Sequence, residues 1–300
     1  MRFPILLFFS MLLLSAAWLS CTKESADALH IDTVITGNNP PPYNGVSEAQ
    51  INGYINRMYI DLMGRAPTQQ EIISNRLYLI NNKLSDAAKD TVIQLLMNTK
   101  DYYRVLFSIA SADFINAADS AALAQEVKLI TLIYYYDSLA GNVDNFIYYQ
   151  YELNRFYVLQ NITDAFMIGE ATLNEFYAAF LNNYFYDMTN MGSENFVKGA
   201  FSDLYRRSPT QSELINGTTM VDGNPAFLFQ QDGNSKGDFI YIATVNNEFY
   251  EGLVIKAYSQ LLLRDATSQE LSEGAALLQL NKDYPAFQKQ LIKTAEYAGF

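Results

Sequence analysis

One segment occurs three times in this chain, and that recurrence restricts the fold more than any other feature. From Ile55 it reads INRMYIDLMGRAPTQQEI, from Val197 VKGAFSDLYRRSPTQSEL, and from Val254 VIKAYSQLLLRDATSQEL. Aligned on Arg65, Arg207 and Arg264, the copies share an aromatic six residues earlier (Tyr59, Phe201, Tyr258) and a leucine three residues earlier (Leu62, Leu204, Leu261). They also share a threonine (Thr68, Thr210, Thr267) and a glutamate (Glu71, Glu213, Glu270). Fixed-period self-similarity is the mark of an architecture built from stacked units. Ile51, Tyr54, Ile55, Met58, Tyr59 and Leu62 fall on one face of a helix, and Ser47 with Gln50 is a capping box that starts it. The arginine ends that helix, where a cation suits the C-terminal dipole. Thr-x-x-Glu then opens a second helix, the threonine oxygen accepting from an orphan amide while the glutamate reaches back to the cap. Pro67 and Pro209 precede the cap, with Ile72 and Leu214 placed as hydrophobic staples; Ala266 replaces the proline in the third copy.

The similarity continues downstream. Leu96–Tyr102 matches Leu291–Tyr297, and Asn247-Glu248-Phe249 stands at the equivalent place in the middle copy after an inserted loop. The spacing therefore predicts an all-α chain of three related helix–turn–helix units. Between the first two copies lies a Tyr-rich stretch with helices over 121–139 and 143–159, and a third opened by Thr172 and Glu175 and running toward Asn183. Tyr134, Tyr135, Tyr148 and Tyr149 are the candidate interaction surface, because rings placed all around a helix cannot all be core. The segment from Asn216 to Asp238 breaks the helical pattern with five glycines and prolines and forms one irregular loop. A short hairpin is expected in it, with Phe227-Leu228-Phe229 and Phe239-Ile240-Tyr241 flanking the turn. Asp232–Asp238 is similar to a calcium loop, but Lys236 occupies a ligand position and Ala243 stands where the bidentate glutamate belongs, so it reads as a solvated turn. Asp61 and Asp203 occupy one position in two copies and read as exposed helix acids.

The N-terminus reads as an export signal over 1–20: Met1-Arg2, an apolar run from Phe3 to Leu14, then small residues before Cys21. The run is shorter than the roughly 20 residues of a spanning helix. Cys21, the one cysteine, stands where a lipoprotein signal ends, so it is read as the lipidation site; a cut after Ala17 is the alternative. Residues 21–46, with Pro40-Pro41-Pro42, form a tether, and the body divides into 47–190 and 191–300.

Processing also strips the chain of chemistry. Trp18 leaves, Cys21 is consumed, and the sole histidine, His30, lies in the tether. A body with no His or Cys excludes a disulfide, a Cys nucleophile, a Ser-His-Asp triad and a His/Cys metal site within one chain. The net charge of −12, or −13 without Arg2, argues against a nucleic-acid partner. No cofactor or metal is called for. Twenty-two tyrosines and nineteen phenylalanines supply rings for a core, and the tyrosines also suit half-wet contact surfaces.

Met58–Thr68 with Glu71, followed by Leu95-Leu96 and Tyr102, resembles a helical domain of unknown function found in planctomycete and Bacteroidota secreted proteins. The broader pattern is similar to the repeats of bacterial surface proteins and phycobilisome linkers. The first copy carries the match most fully, and the other two lack Gly64. The resemblance implies a scaffold or linking role. No Cys-x-x-Cys-His is present, so redox function does not follow from it. The expectation is an outer-membrane lipoprotein, on the cell surface or the periplasmic face, that binds or scaffolds other envelope proteins. Capture of a glycan or nutrient is the alternative, and a carboxylate-based hydrolase a third. Cys21→Ala should move the protein from the membrane fraction to a soluble pool; a mutant that still sediments, with no lipid on the wild type by mass spectrometry, would refute the lipoprotein reading.

Overall fold

The three arginines do not act on helix termini as simple cations. In the computed structural model, which describes residues 45–142 and 145–300, each folds back over its own turn. Arg65 donates to both oxygens of Glu71 at 2.9 and 2.7 Å, Arg207 to Glu213 at 2.8 and 2.7 Å, and Arg264 to Glu270 at 2.8 and 2.8 Å. The same glutamate accepts from the backbone amide of its capping threonine, at 2.7, 2.7 and 2.8 Å. Each guanidinium also lies over the ring six residues earlier: Tyr59 at 5.3 Å, Phe201 at 5.0 Å and Tyr258 at 5.0 Å. The residue before each arginine is left-handed, with φ of 64° at Gly64, 58° at Arg206 and 56° at Leu263. The turn geometry thus survives the loss of glycine in two copies, at a local cost of about 1–2 kcal/mol that the clamp must offset.

The described residues form fifteen helices and one two-stranded sheet. The first copy gives α1 (Glu48–Met63), α2 (Gln69–Asn81), α3 (Asp86–Met97) and α4 (Lys100–Phe114). Then come α5 (Ser120–Ala140), α6 (Phe146–Met167), α7 (Leu173–Leu181) and α8 (Tyr184–Thr189). The middle copy gives α9 (Ser193–Tyr205), α10 (Gln211–Val221), β1 (Ala226–Leu228), β2 (Gln231–Gly233) and α11 (Lys236–Val245). The last gives α12 (Asn247–Leu261), α13 (Ser268–Asn281), α14 (Tyr284–Lys293) and α15 (Ala295–Ala298). The chain is all-α. Among the described residues no helix is long and apolar enough to cross a membrane. Cys21, His30 and the tether up to residue 44 lie outside them.

Local signals set most boundaries. Ser47, Thr68, Thr172, Thr210 and Thr267 all make full capping boxes. Thr99, Asn246 and Thr294 cap the helix that follows each unit, accepting from Tyr102, Phe249 and Tyr297. Asn246 therefore opens α12, whose other end carries the Arg264 turn, so one helix closes the middle unit and begins the last. The first and last of the described helices meet as well. Arg57 of α1 donates to the carbonyl of Tyr297 at 3.0 Å and lies 4.1 Å from its ring centroid, and Tyr54 packs edge-on against Tyr297 and Phe300.

Three expectations need correction. The hairpin is real but shorter: β1 pairs antiparallel with β2, Leu228 opposite Gln231, through Phe229 and Gln230, both with positive φ. The Phe229 ring stacks on Phe201 at 5.8 Å, which holds it in that conformation. Phe239-Ile240-Tyr241 is not its second strand but part of α11. Ser235 accepts from the amide of Asp238 at 3.0 Å, and Asp238 accepts from the amide of Asn234 at 2.9 Å, a cap that starts a helix inside the expected turn. Second, α6 runs eight residues beyond the expected 159, to Met167, since no breaker precedes Gly169. Third, Asp61 and Asp203 are partly buried rather than exposed. They accept from the hydroxyls of Tyr297 at 2.7 Å and Tyr186 at 2.8 Å, partners brought by distant elements.

The arginine beside each capping glutamate holds Glu71, Glu213 and Glu270 at about 2, against an ordinary 4.5. A depressed carboxylate contributes stability that is complete above its unfolded value and lost as pH falls through the folded one. The urea midpoint should therefore fall between about pH 4.5 and 2, and replacing all three glutamates with Gln should flatten that window. At neutral pH Thr68→Ala, Thr210→Ala and Thr267→Ala should each cost about 1 kcal/mol.

Candidate functional site

The stretch between the first two copies builds a helical hairpin unlike the rest of the molecule. Along the 21 residues of α5 only Leu123 and Ile130 are buried, and α5 packs chiefly on α6. Leu129, Leu132, Ile133, Tyr135, Tyr136 and Leu139 of α5, and Ile147, Tyr148 and Tyr151 of α6, stay exposed. The one acid on that part of α5, Asp137, is occupied locally: it accepts from Asn145 at 2.9 Å and Asn142 at 3.2 Å, which hold its carboxyl below the usual range. Of the four tyrosines expected at a surface, Tyr135 and Tyr148 are there. Tyr134 and Tyr149 are half-buried, Tyr134 against Phe146 at 5.1 Å and Tyr149 against the core, because the antiparallel pairing of α5 with α6 turns one ring of each pair inward.

The inner face of α6 begins with charge. Glu152 and Arg155 are each only 5% exposed and sit one turn before Phe156 and Leu159 on the same face. Arg155 donates to Asp187 of α8 at 2.7 Å, and its guanidinium lies 3.5 Å from Glu152. Asp187 also receives Lys236 of α11, whose ammonium lies over the Phe196 ring at 4.4 Å. Two cations and two anions thus join α6, α8 and α11. Burial pushes the Glu152 carboxyl up and the Lys236 ammonium down. One oxygen of Glu152 and the Nε of Arg155 have no hydrogen-bond partner.

Arg155 also lines a cavity of about 620 Å³ between α6, α7 and α11. Val158, Ile162, Ala178 and Ile240 form its apolar wall, and Tyr151 and Tyr241, 50% and 63% exposed, stand at its edge. Asn174 braces the wall by donating to the Tyr250 hydroxyl at 3.0 Å and to the Thr244 carbonyl. Glu170 and Glu175 also line it, but both are exposed, and the amide and hydroxyl of Thr172 hold Glu175 below its ordinary value. Among the described residues no cluster of three or more acidic, His or Cys side chains is placed to hold a metal.

The motif residues Arg65, Thr68, Glu71 and their counterparts each close their own turn and are not gathered at the cavity. What sequence reasoning missed is the Glu152–Arg155–Asp187–Lys236 cluster and Tyr241. The available signal was the Glu152-x-x-Arg155 pair, which falls on the same helix face as Phe156 and Leu159. No family model, curated protein or solved structure significantly matches the chain.

Removing one partner of a buried ion pair costs about 3–5 kcal/mol, because it leaves the other uncompensated. Arg155→Ala should lower stability by that order in urea unfolding. Glu152→Gln should cost less than Arg155→Ala, because Asp187 still pairs with Arg155 and the amide oxygen can still face the guanidinium.

Proposed function

We propose that this protein is a binding or scaffolding component of a cell-envelope assembly, and that it engages a partner protein through the α5–α6 hairpin. The observation that carries the reading is the apolar surface of that hairpin. Nine large apolar or aromatic side chains, from 38% exposed at Ile133 to 80% at Ile147, are left without a partner on these two paired helices. Singly scattered exposed apolar residues are ordinary on a monomer, whereas their concentration on one element marks an interaction surface. Four of the nine are tyrosines, and tyrosine is enriched at interfaces because its ring buries apolar area while the hydroxyl keeps a polar contact. The resemblance of the first copy to a secreted helical domain agrees with a linking role. The export signal and Cys21 are the grounds for placing it at an outer membrane.

A second reading, capture of a glycan or nutrient, is favoured by the cavity beside the hairpin with Tyr151 and Tyr241 at its edge. A carboxylate-based hydrolase has less support. It needs an acid raised by burial next to a second one in an open site. Glu152 is raised by burial beside Asp187 but is paired with Arg155 and does not line the cavity, whereas Glu170 and Glu175 line it but are exposed and Glu175 is held low.

Affinity capture of the full chain from detergent-solubilised membranes tests the leading reading. Wild type should retain a defined partner chain. Tyr135→Glu and Tyr148→Glu should lose it while circular dichroism and thermal unfolding stay unchanged. Capture of nothing above the resin control, or retention of the same partner by both variants, would overturn the proposal.

A further inference from the structure

The cavity between α6, α7 and α11 is within the roughly 300–1,000 Å³ range of small-ligand sites, and its wall is apolar with a few polar groups. Three features narrow what it can take. Its charged lining residues balance, with Arg155 and Lys282 against Glu170 and Glu175, so no net field favours an ion of either sign. Its polar lining includes the amides of Asn154 and Asn182 together with carboxylates and a guanidinium, a mixture of donors and acceptors that suits groups able both to donate and to accept. Its edge carries two well-exposed tyrosine rings, flat faces on which a C–H-rich ring can lie. Hydroxyls around an apolar ring face meet all three conditions. A fatty acid or an organic phosphate would offer the lining acceptors only, leaving the amide carbonyls without donors, and would bring an unbalanced charge.

Arg155 adds the one guanidinium to that lining, held in place by Asp187 and Glu152. We infer that the cavity is a binding site for a neutral saccharide, whose ring stacks on Tyr151 or Tyr241 and whose hydroxyls bond to the amides of Asn154 and Asn182. The inference rests on the second reading above, glycan capture, and names its ligand class; it does not depend on the hairpin's protein partner.

The test uses the full chain in detergent against a panel of neutral di- to hexasaccharides covering α- and β-linked glucans, mannans, galactans, xylans and chitooligosaccharides, with binding measured by calorimetry. An acidic oligosaccharide set and the apolar anion anilinonaphthalene sulfonate serve as competing probes. At least one neutral member should bind, and Tyr151→Ala and Tyr241→Ala should each weaken it by about tenfold or more, equivalent to about 1.4 kcal/mol. Asn182→Ala should weaken it as well, and Tyr135→Glu should leave it unchanged. Absence of any neutral ligand with a Kd below about 1 mM, preference for the acidic or apolar probes, or binding indifferent to both tyrosine variants would each overturn the inference. Loss of partner capture in Tyr135→Glu with saccharide binding intact would separate the two sites. Failure of the whole panel with partner capture intact would sink the cavity site alone.

Discussion

The arginine–glutamate clamp at each helix–helix turn is the interaction on which the rest of this architecture depends. An exposed ion pair on its own contributes little, and these arginines are about a third or more exposed. Their effect comes from convergence. The carboxylate is already fixed by the capping threonine, the guanidinium meets it with two parallel bonds, and the ring beneath fixes the guanidinium plane. The arginine also donates to the carbonyl of the next residue, at 3.1, 3.1 and 2.9 Å. Little freedom remains in the angle between the two helices, so contacts local to the turn aim the apolar face of each.

The clamp also reaches the next element. Arg207 bonds to both oxygens of Glu248, and Arg264 to both of Glu296, each glutamate lying in the first turn of the helix that closes the unit. A carboxylate there already suits the helix dipole, so one residue serves two purposes. In the first unit the shorter Asp101 holds that place and pairs with Arg104 instead. Packing between helices depends on small residues at matching positions. A Cβ on Gly217 would come within 2.9 Å of Val197 and 3.1 Å of Phe239, and one on Gly274 within 2.9 Å of Val254 and 3.1 Å of Phe287. At Gly252 it would lie 1.9 Å from the Leu204 carbonyl, which is why α9 and α12 approach so closely.

The hairpin of α5 and α6 follows different rules. It has no arginine clamp, its first helix is apolar on nearly every side, and its inner face is anchored by a charge cluster where a core would normally be apolar. Buried ion pairs contribute little net stability because desolvation offsets the attraction. The cluster instead fixes position: it ties α6 to α8 and α11 at one register and so shapes the cavity beside it. The exposed face and the cavity share α6 and meet at Tyr151, which belongs to both.

Helix caps, turn residues and apolar periodicity act over three to eleven residues, so the sequence by itself determined the all-α class, the three helix–turn–helix joints and the caps at Thr68, Thr172, Thr210 and Thr267, while the folding back of each arginine onto its glutamate came from the structure. The same local reach explains where reading along the chain went wrong. A run such as Phe239-Ile240-Tyr241 is too short to distinguish strand from buried helix by periodicity, and the Ser235–Asp238 cap decided it. The inward turn of Tyr134 and Tyr149 depends on how α5 lies against α6. The partners of Asp61 and Asp203 arrive from Tyr297 and Tyr186, and Asp187 and Lys236 reach Arg155 from separate helices. Only the tertiary structure decided these, along with the cavity, because desolvation and ion pairing depend on which distant segments meet in space, and no pattern along the chain encodes that meeting.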